Sequence, residues 1–372
     1  DVVSNEVLWF LNHRLFDLSK VPVFDAGWAD DWDAYRAVNR RFAEVIAEDA
    51  PDGATVLVQD YHLNLVASTL SPRRPDLRVV HFTHTPFMDP VDLRVLPNAM
   101  ATELMEGMAA FTACGFHTRE WEASFQGCAE TVLGSRPASF VSPLAPDAEN
   151  MTAVSADPDC IAAGARLDER VRGRRMILRV DRIELSKNLL RGFQAFDELL
   201  RERPEWIGQV VFVALVYPSR ESLPEYRAYR RAVESLVNEI NDRWESPGWT
   251  PILLDTRDDF PRSVAALQRY DVLLVNPIRD GLNLVAKEGP LVNRNDGVLV
   301  LSREAGVWHE LSGAACEVNP FDVAGTAAQL ARALGMGRAE RRAHAAALRA
   351  AASRRTPRDW LEDQLVAARG QD

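Results

Sequence analysis

Two cationic side chains, Arg182 and Lys187, follow an apolar run with the composition of a buried strand, residues 176–180. A helical pattern begins directly after them, at Asn188. Guanidinium and ammonium groups near a helix N-terminus suit a phosphate or a diphosphate, because the free N–H groups of the first turn add to the positive potential. A surface ion pair with a neighbouring carboxylate is the alternative interpretation of the same two residues.

A second segment, residues 276–288, repeats this order of strand, turn and helix. Backbone N–H groups at Leu284 and Val285 would face an anion there. Glu288 lies one helical turn farther on, within reach of the hydroxyls of a ribose. The segment contains neither GxxxxGK(S/T) nor GxGxxG, so it is neither a P-loop nor the dinucleotide-binding fingerprint.

Polar residues also end two apolar strands nearer the N-terminus. Asp60 directly follows residues 55–59, where an aspartate either caps the next helix or faces a ligand hydroxyl. His81 and His84 stand three residues apart on a strand, so they point to opposite faces and make a poor metal pair. His84 adjoins a Thr-Pro turn and is the better candidate for contact with a ligand.

The triplet Asp31-Trp32-Asp33 matches the DxD pattern that some nucleotide-sugar enzymes use to hold a metal ion. It also opens a predicted helix, where acidic residues in the first turn are ordinary. We therefore predict neither a metal site nor a cofactor.

The elements that must position these residues are short apolar runs alternating with longer helical patterns. Repeated strand–helix order predicts an α/β fold, with parallel sheets covered by helices on both faces. Ligands of such sheets bind beyond the carboxyl ends of the strands, where the candidate residues stand. The predicted strands cover residues 55–59, 78–83, 110–114, 139–143, 176–180, 210–216, 251–254, 271–275 and 297–301.

Prolines interrupt the chain near residues 144–174 and divide it into two doubly wound, Rossmann-like halves. The predicted domains are residues 1–150, residues 151–335, and C-terminal helices over residues 336–372, the last of which could return to the first domain. Because Asp1 is not a natural start, we expect upstream residues to be missing from the first domain.

Composition excludes several classes of protein. The 372 residues carry 43 basic and 54 acidic side chains, a net charge of −11, which argues against a general nucleic-acid binder. No apolar run approaches the roughly 18 residues of a membrane span. The four cysteines show no CxxC spacing, which favours reduced thiols in a cytoplasmic protein.

Taken together, the motifs resemble the trehalose-6-phosphate synthase family of retaining GT-B glycosyltransferases. The resemblance runs along nearly the whole chain and rests on seven motifs in the family's order: SNEVLW, QDYHL, HFTHTPF, VDRIELSKN, YPSR, NPIRDGLNLVAKE and VLVLSREAG. It implies two Rossmann-like domains facing across a cleft, and it leaves a homodimer open. The family's N-terminal glycine-rich donor loop is not in this chain.

The resemblance implies a nucleotide-activated donor bound by the second domain and a phosphorylated acceptor bound by the first. Such enzymes need no protein nucleophile, so the protein must stabilise charge on the departing diphosphate. The implied donor residues are Arg182 and Lys187 for the diphosphate, Asp280 for the ring hydroxyls, Glu288 for the ribose, and Gly281, Asn283, Leu284 and Val285 around them. The implied acceptor residues are Trp9, Asp60 and Arg220, the last on the acceptor phosphate, with His84 at the donor ring or its phosphate.

Several positions depart from the family's usual pattern around these residues. Ile-Glu-Leu-Ser-Lys-Asn at 183–188 replaces Leu-Asp-Tyr-Ser-Lys-Gly, and Gly289-Pro290 stands where an aromatic residue is usual. Retained phosphate ligands in altered surroundings indicate a changed substrate.

The pattern is most similar to the pseudo-glycosyltransferase branch with validoxylamine A 7′-phosphate synthase activity, an antibiotic-biosynthesis reaction. That reaction joins GDP-valienol to validamine 7-phosphate through a C–N bond with retention. The alternative is ordinary trehalose-6-phosphate synthesis from UDP- or GDP-glucose and glucose 6-phosphate. The lesser alternative is an inactive relative that binds a sugar phosphate.

Overall fold

The computed structural model describes residues 2–370, which form two compact units. The first unit comprises residues 2–144 and 357–370, and the second comprises residues 145–356. Each unit contains its own parallel sheet.

The first unit begins with a π-helical turn, Val2–Leu8, and contains one 3₁₀ turn, Tyr61–Leu63. Its strands are β1 (Thr55–Gln59), β2 (Arg78–Thr83), β3 (Ala113–Phe116) and β4 (Ser139–Val141). Its helices up to residue 144 are α1 (Trp9–His13), α2 (Trp28–Asp49), α3 (Val66–Arg73), α4 (Pro90–Leu93), α5 (Asn98–Ala109) and α6 (Arg119–Leu133).

The four strands of this sheet are parallel and lie in the order β1-β2-β3-β4. Residues 79–83 of β2 are buried, as expected of a parallel strand covered on both faces. In the register Gln59 stands beside Phe82, so β1 and β2 end at the same edge. The predicted strand 110–114 begins only at Ala113, because α5 continues to Ala109.

The second unit has six strands, nine helices and two 3₁₀ turns, Leu185–Lys187 and Pro204–Trp206. Its strands are β5 (Arg175–Ile183), β6 (Val210–Pro218), β7 (Ile252–Asp255), β8 (Val272–Val275), β9 (Val298–Ser302) and β10 (Cys316–Val318). Its helices are α7 (Ala148–Ser155), α8 (Pro158–Val171), α9 (Leu189–Glu202), α10 (Pro224–Trp244), α11 (Phe260–Arg269), α12 (Val285–Val292), α13 (Trp308–Leu311), α14 (Val323–Gly335) and α15 (Arg338–Ala352).

All six strands are parallel, in the order β10-β9-β8-β5-β6-β7. This is the Rossmann order, in which the chain reverses direction across the sheet between its first and fourth strands, here β5 and β8. The carboxyl ends of these two strands are therefore where a ligand is expected to bind. The sequence did not predict β10, which is only three residues long.

The last helix, α16 (Pro357–Ala368), belongs to the first unit. Gln364 is fully buried and its Oε1 accepts a hydrogen bond from Gln59 Nε2 at 3.1 Å. Trp360 packs its ring edge-on against Phe82, with ring centroids 5.2 Å apart.

The boundary between the units falls between Leu144 and Ala145 rather than between residues 150 and 151. The reason is that α7 packs on α11 and α12 of the second unit. The predicted C-terminal part, residues 336–372, is divided in the same way, because α15 packs on α12 while α16 packs on the first sheet.

Within residues 2–370, no helix combines the length and the apolar character that crossing a bilayer requires. The four cysteines are free thiols and all are buried.

Candidate active site

In the first unit, Asp60 stands directly after β1 with φ of +67°, a conformation that favours glycine. Its N–H donates to Phe82 O at 2.8 Å, and its Oδ1 accepts from His84 N at 3.2 Å. The carboxylate does not cap the following 3₁₀ turn. The alternative interpretation as a helix cap is therefore wrong, and a strained backbone at a strand end is typical of a functional position.

His84 is partly exposed, and its Nε2 lies 2.9 Å from Gln59 Oε1. Burial lowers the pKa of His84, and the nearby charge of Asp60 only partly opposes this, so the ring is neutral at pH 7. Gln59 Nε2 donates to Gln364, which orients the Gln59 oxygen as an acceptor. Nε2 of His84 is then the protonated nitrogen, and Nδ1 is left as an acceptor.

Trp9, the other acceptor residue predicted in this unit, is only 2 % exposed. Its ring stacks on His13, with centroids 4.2 Å apart. Trp9 therefore offers little surface to an acceptor in this structure.

His81, within β2, is fully buried, with its Nε2 3.1 Å from Asp60 O. Burial lowers the pKa of His81 to about 4. The unfolded chain protonates near pH 6.5, so it takes up the proton first as the pH falls. We expect the free energy of unfolding to be highest above pH 6.5 and to lose about 3 kcal/mol from this group towards pH 4.

Urea unfolding between pH 7 and pH 4.5 measures this loss. The His81→Gln variant should show a shallower dependence on pH than the wild type, whatever its absolute stability. An equal slope in both proteins would assign the acid sensitivity to other groups.

In the second unit, the loops that follow β5 and β8 are joined. Ile278 N donates to Ser186 O at 2.9 Å, and Lys187 Nζ donates to Asp280 Oδ2 at 2.6 Å. The two segments that the sequence singled out, 180–188 and 276–288, thus meet where β5 and β8 end side by side.

Arg182 is the penultimate residue of β5, and its side chain is 46 % exposed. Its Nη1 lies 3.1 Å from Glu184 Oε1, and Glu184 is in turn fixed by the Ser219 hydroxyl at 3.0 Å. The ion pair considered from the sequence is therefore present, yet the guanidinium keeps a large accessible surface. An anion can bind to it without disrupting the core.

Lys187 is half-buried, with 13 % of its side chain exposed. Burial alone would lower the pKa of Lys187, but the charges of Asp280 and Asp181 outweigh it and leave the pKa above its ordinary value. Lys187 is therefore a cation at neutral pH, held in place before any ligand arrives.

Arg179, which the sequence analysis missed, holds this region together from inside β5. Its side chain is fully buried, Nη1 donates to Asn276 Oδ1 at 2.6 Å, and Nη2 donates to Lys187 O. Its Nε lies 3.0 Å from Asp181 Oδ2. An arginine within an apolar strand could have indicated a buried ion pair, because arginine is almost never fully buried unless it is paired.

Gly192, on α9, leaves the space that the Arg179 guanidinium occupies. A Cβ at this position would lie 2.5 Å from Arg179 Nη1. We expect Gly192→Ala to destabilise the protein by about 1–3 kcal/mol, the usual cost of overpacking. Turnover should fall as well, because a displaced Arg179 no longer fixes Lys187.

Gly164, a glycine within α8, provides the matched control. A Cβ there would meet no atom closer than Ala265 Cβ at 4.0 Å. Gly164→Ala should be neutral or stabilising by up to about 1 kcal/mol. Thermal unfolding of both variants checks the prediction, and equal stability of the two would contradict it.

Asn188 occupies the position where the family usually has glycine, and its backbone is left-handed, with φ 62° and ψ 41°. Asparagine tolerates this conformation better than other side chains. Its Nδ2 donates to Asn276 O at 3.0 Å and to Pro320 O at 2.7 Å. The substitution thus keeps the backbone turn and adds side-chain hydrogen bonds that join neighbouring loops.

Asp280 and Asn283 shape the start of α12. Asn283 Nδ2 lies 3.1 Å from Asp280 Oδ2, and Asn283 Oδ1 accepts from Ala286 N at 3.1 Å. Gly281 lies in the turn between them. The first N–H groups of the helix, at Leu284 and Val285, have no acceptor within the helix, which is the arrangement found where helix N-termini bind anions.

Glu288 lies one turn farther along α12 and is partly exposed. Burial raises the pKa of its carboxyl group above the ordinary value. The charged form of a carboxylate in such surroundings is stabilised when it accepts hydrogen bonds, for example from a pair of hydroxyls.

Arg220 follows β6, the neighbour of β5, and so belongs to the second unit rather than to the unit of Trp9 and Asp60. Its backbone has φ of +47°, and its Nη1 donates to Tyr226 Oη at 2.8 Å. In the register Tyr217 pairs with Arg182, so Arg220 stands at the same edge of the sheet as the other cations.

Among residues 2–370, no group of three or more His, Cys, Asp and Glu side chains is placed to hold a metal ion. Asp31 and Asp33 both lie on α2, and Asp33 pairs with Arg36 at 2.6 Å.

Comparison with known proteins identifies the family. The sequence model of glycosyltransferase family 20 matches residues 1–369. The chain belongs to this family. A bifunctional trehalose-6-phosphate synthase/phosphatase of Thermoproteus tenax is 34 % identical over 91 % of this chain. The chain spans about half of that relative, 47 % of its length. A UDP-forming α,α-trehalose-phosphate synthase of Aspergillus niger is 32 % identical over 90 % of this chain and 72 % of its own length.

Solved structures of the family share the fold. A Burkholderia xenovorans UDP-forming α,α-trehalose-phosphate synthase in complex with glucose-6-phosphate has a TM-score of 0.90 at 28 % identity, covering 99 % of this chain and 84 % of its own. An Escherichia coli structure described as trehalose-6-phosphate bound with UDP-2-fluoro glucose has a TM-score of 0.91 at 29 % identity, covering 99 % and 83 %. The predicted α/β fold with parallel sheets, of the GT-B class, is confirmed.

Proposed function

We propose that this family 20 protein transfers a glucosyl group from a nucleoside diphosphate glucose to glucose 6-phosphate, forming trehalose 6-phosphate with retention. The observation that carries the proposal is the set of cations and helix N–H groups where β5 and β8 end, formed by Arg182, Lys187 and the start of α12. Relatives named as trehalose-phosphate synthases support this substrate pair.

In this proposal Arg182 and Lys187 bind the diphosphate of the donor. Negative charge grows on the leaving oxygens as the glycosidic bond breaks, and fixed cations in a partly dry site stabilise that charge more than they stabilise the ground state. Lys187 needs no reorganisation, because Asp280 and Arg179 already fix its ammonium group and its carbonyl. The departing oxygen then accepts the proton of the acceptor hydroxyl.

Carboxylates near the cations have a different role. Asp280 would accept hydrogen bonds from hydroxyls of the donor ring while its other contacts hold Lys187 and Asn283. Glu288 would accept from the ribose. His84 is neutral, and its Nδ1 is an acceptor, so it would orient a hydroxyl rather than supply positive charge.

For the acceptor, we propose that Arg220 binds the phosphate. The guanidinium of Arg220 lies near the Tyr226 ring, 5.7 Å from its centroid, which restricts its orientation. A restricted guanidinium binds two phosphate oxygens with less loss of entropy than a mobile one.

The C–N coupling that the sequence departures favoured is now the second candidate. Two of those departures have structural causes. Asn188 conserves a left-handed turn. Gly289 fits close packing, since a Cβ there would lie 2.6 Å from Leu273 Cδ2. The departures at Glu184 and Leu185 remain the observation that favours a changed substrate.

The deciding experiment offers the full-length protein two substrate pairs: UDP- or GDP-glucose with glucose 6-phosphate, and GDP-valienol with validamine 7-phosphate. Trehalose 6-phosphate from the first pair alone would support the proposal. Coupling of the second pair alone would overturn it in favour of C–N bond formation. No turnover with either pair, in protein that is folded, would favour a sugar-phosphate-binding relative.

A further inference from the structure

The opposite edge of the second unit's sheet has an open cavity of about 590 Å³. Arg175 begins β5 and Asp271 directly precedes β8, so the cavity lies at the amino ends of the two strands whose carboxyl ends carry Arg182 and Asp280. It belongs to no part of the proposed donor site. The charged residues in its lining are Arg174, Arg175, Arg269, Arg294, Arg338, Arg341, Asp271 and Asp296.

Asp271 holds three of these arginines around the cavity. Its Oδ1 lies 2.6 Å from Arg175 Nη1 and 3.4 Å from Arg341 Nη2, and its Oδ2 lies 3.2 Å from Arg269 Nη1. Arg269 Nε also lies 2.9 Å from Asp168 Oδ1, so two carboxylates face three guanidinium groups and a net positive charge remains. Holding like charges together is unfavourable unless a counter-ion or a functional ligand offsets the repulsion.

Two further arginines, Arg294 and Arg338, are exposed at the cavity. Neither lies within ion-pair distance of a carboxylate in the part of the chain that the structure describes, and neither donates a side-chain hydrogen bond there. Arg341 is 5 % exposed, and its buried Nη1 has no hydrogen-bond partner within residues 2–370. With six arginines and two aspartates, the lining of the cavity is therefore strongly cationic, although the chain as a whole has a net charge of −11.

We infer that this cavity is a second ligand site, which binds a small phosphorylated metabolite through its phosphate groups. Guanidinium groups bind phosphate oxygens in pairs, and several arginines facing one space favour more than one phosphate group or a diphosphate. The volume falls in the range of small-molecule sites, roughly 300–1,000 Å³. A set of arginines confined to one small cavity of an acidic protein suits a small molecule better than a nucleic acid.

Pyrophosphate is the probe for the test, and isothermal titration calorimetry measures its binding to the full-length chain. Arg294→Ala/Arg338→Ala removes two exposed side chains and should preserve the fold. We expect this double variant to bind pyrophosphate at this site about a hundredfold more weakly than the wild type, about tenfold for each charged contact. Arg338→Glu, which reverses one charge, should abolish the binding.

Two controls separate this site from others. The first control is Arg182→Ala, which weakens the proposed donor site and should still bind pyrophosphate at the cavity. Adding Arg294→Ala/Arg338→Ala to this variant should then remove the remaining binding. The second control is Arg41→Ala/Arg358→Ala, which removes two exposed arginines of the first unit and therefore the same total charge. This variant should bind pyrophosphate as tightly as the wild type does. Unchanged binding in Arg294→Ala/Arg338→Ala, equal weakening in the charge-matched control, or loss of all binding in Arg182→Ala would each overturn the inference.

Discussion

Turnover of the Arg182→Ala variant is expected to fall about a hundredfold or more. Removing one contact that stabilises transition-state charge typically costs about 2.7–4 kcal/mol of barrier. The side chain of Arg182 is 46 % exposed, but its partner Glu184 is only 2 % exposed, so Arg182→Ala should also cost about 1 kcal/mol of stability while the fold is retained. Steady-state kinetics should show a large fall in kcat and in kcat/KM, which is the signature of an interaction made in the transition state.

Arg243→Ala is the matched control for Arg182→Ala. Arg243 also lies in the second unit, is also 46 % exposed, and pairs with a carboxylate, Asp197, at 2.7 Å. It lies on α10, away from the strand ends that carry the proposed site. Its removal should leave turnover within about twofold. Near-normal turnover in folded Arg182→Ala protein would refute the diphosphate assignment.

Lys187→Ala is expected to lower turnover by roughly a hundred- to a thousandfold, because Lys187 is the second cation proposed at the leaving group. Like the loss of Arg182, the loss of Lys187 should also affect stability. Its ammonium group lies 2.6 Å from Asp280 Oδ2, and both side chains are largely buried, at 13 % and 15 % exposed. Its removal leaves a partly buried carboxylate without its cation, which should cost about 1–2 kcal/mol after allowance for solvent screening.

The double variant Lys187→Ala/Asp280→Asn separates these two effects. Neutralising Asp280 should restore most of the lost stability, because no uncompensated charge remains. Turnover should stay low, because the cation and the carboxylate proposed for the donor are both gone. Urea unfolding and steady-state kinetics on the two single variants and the double variant complete the cycle. Recovery of turnover together with stability would show that Lys187 is only structural.

Several features of the fold and of the candidate site could be predicted from the sequence alone. The segment of Arg182 and Lys187 was singled out because two cations lie between an apolar strand and a helix, and their binding of a diphosphate stays a prediction. The strand 55–59 and the start of β2 at residue 78 were predicted to the residue, since unbroken apolar runs bounded by turn residues are the clearest strand signal. The seven ordered motifs indicated the family that the comparison then showed.

Other parts depended on contacts between residues far apart in sequence. Arg179 and Asn276 are separated by 97 positions, yet their hydrogen bond ties the two loops together. Nothing local to either residue predicts the other, because the pairing follows from β5 and β8 being neighbours in the sheet. The preference for C–N coupling failed to gain support for a similar reason. It treated Asn188 and Gly289 as marks of a new substrate, whereas Asn188 keeps a left-handed turn and Gly289 fits close packing.

By itself, the sequence determined the order of strands and helices, the polar residues at strand ends and the family, because these follow from local periodicity and from residue types at fixed spacing. Only the tertiary structure decided which strand ends meet, that Lys187 is a half-buried cation held by Asp280, and that a single carboxylate gathers Arg175, Arg269 and Arg341. The physical reason is that charge and burial depend on neighbours in space. The folding of a parallel sheet brings together side chains that the chain itself keeps almost a hundred residues apart.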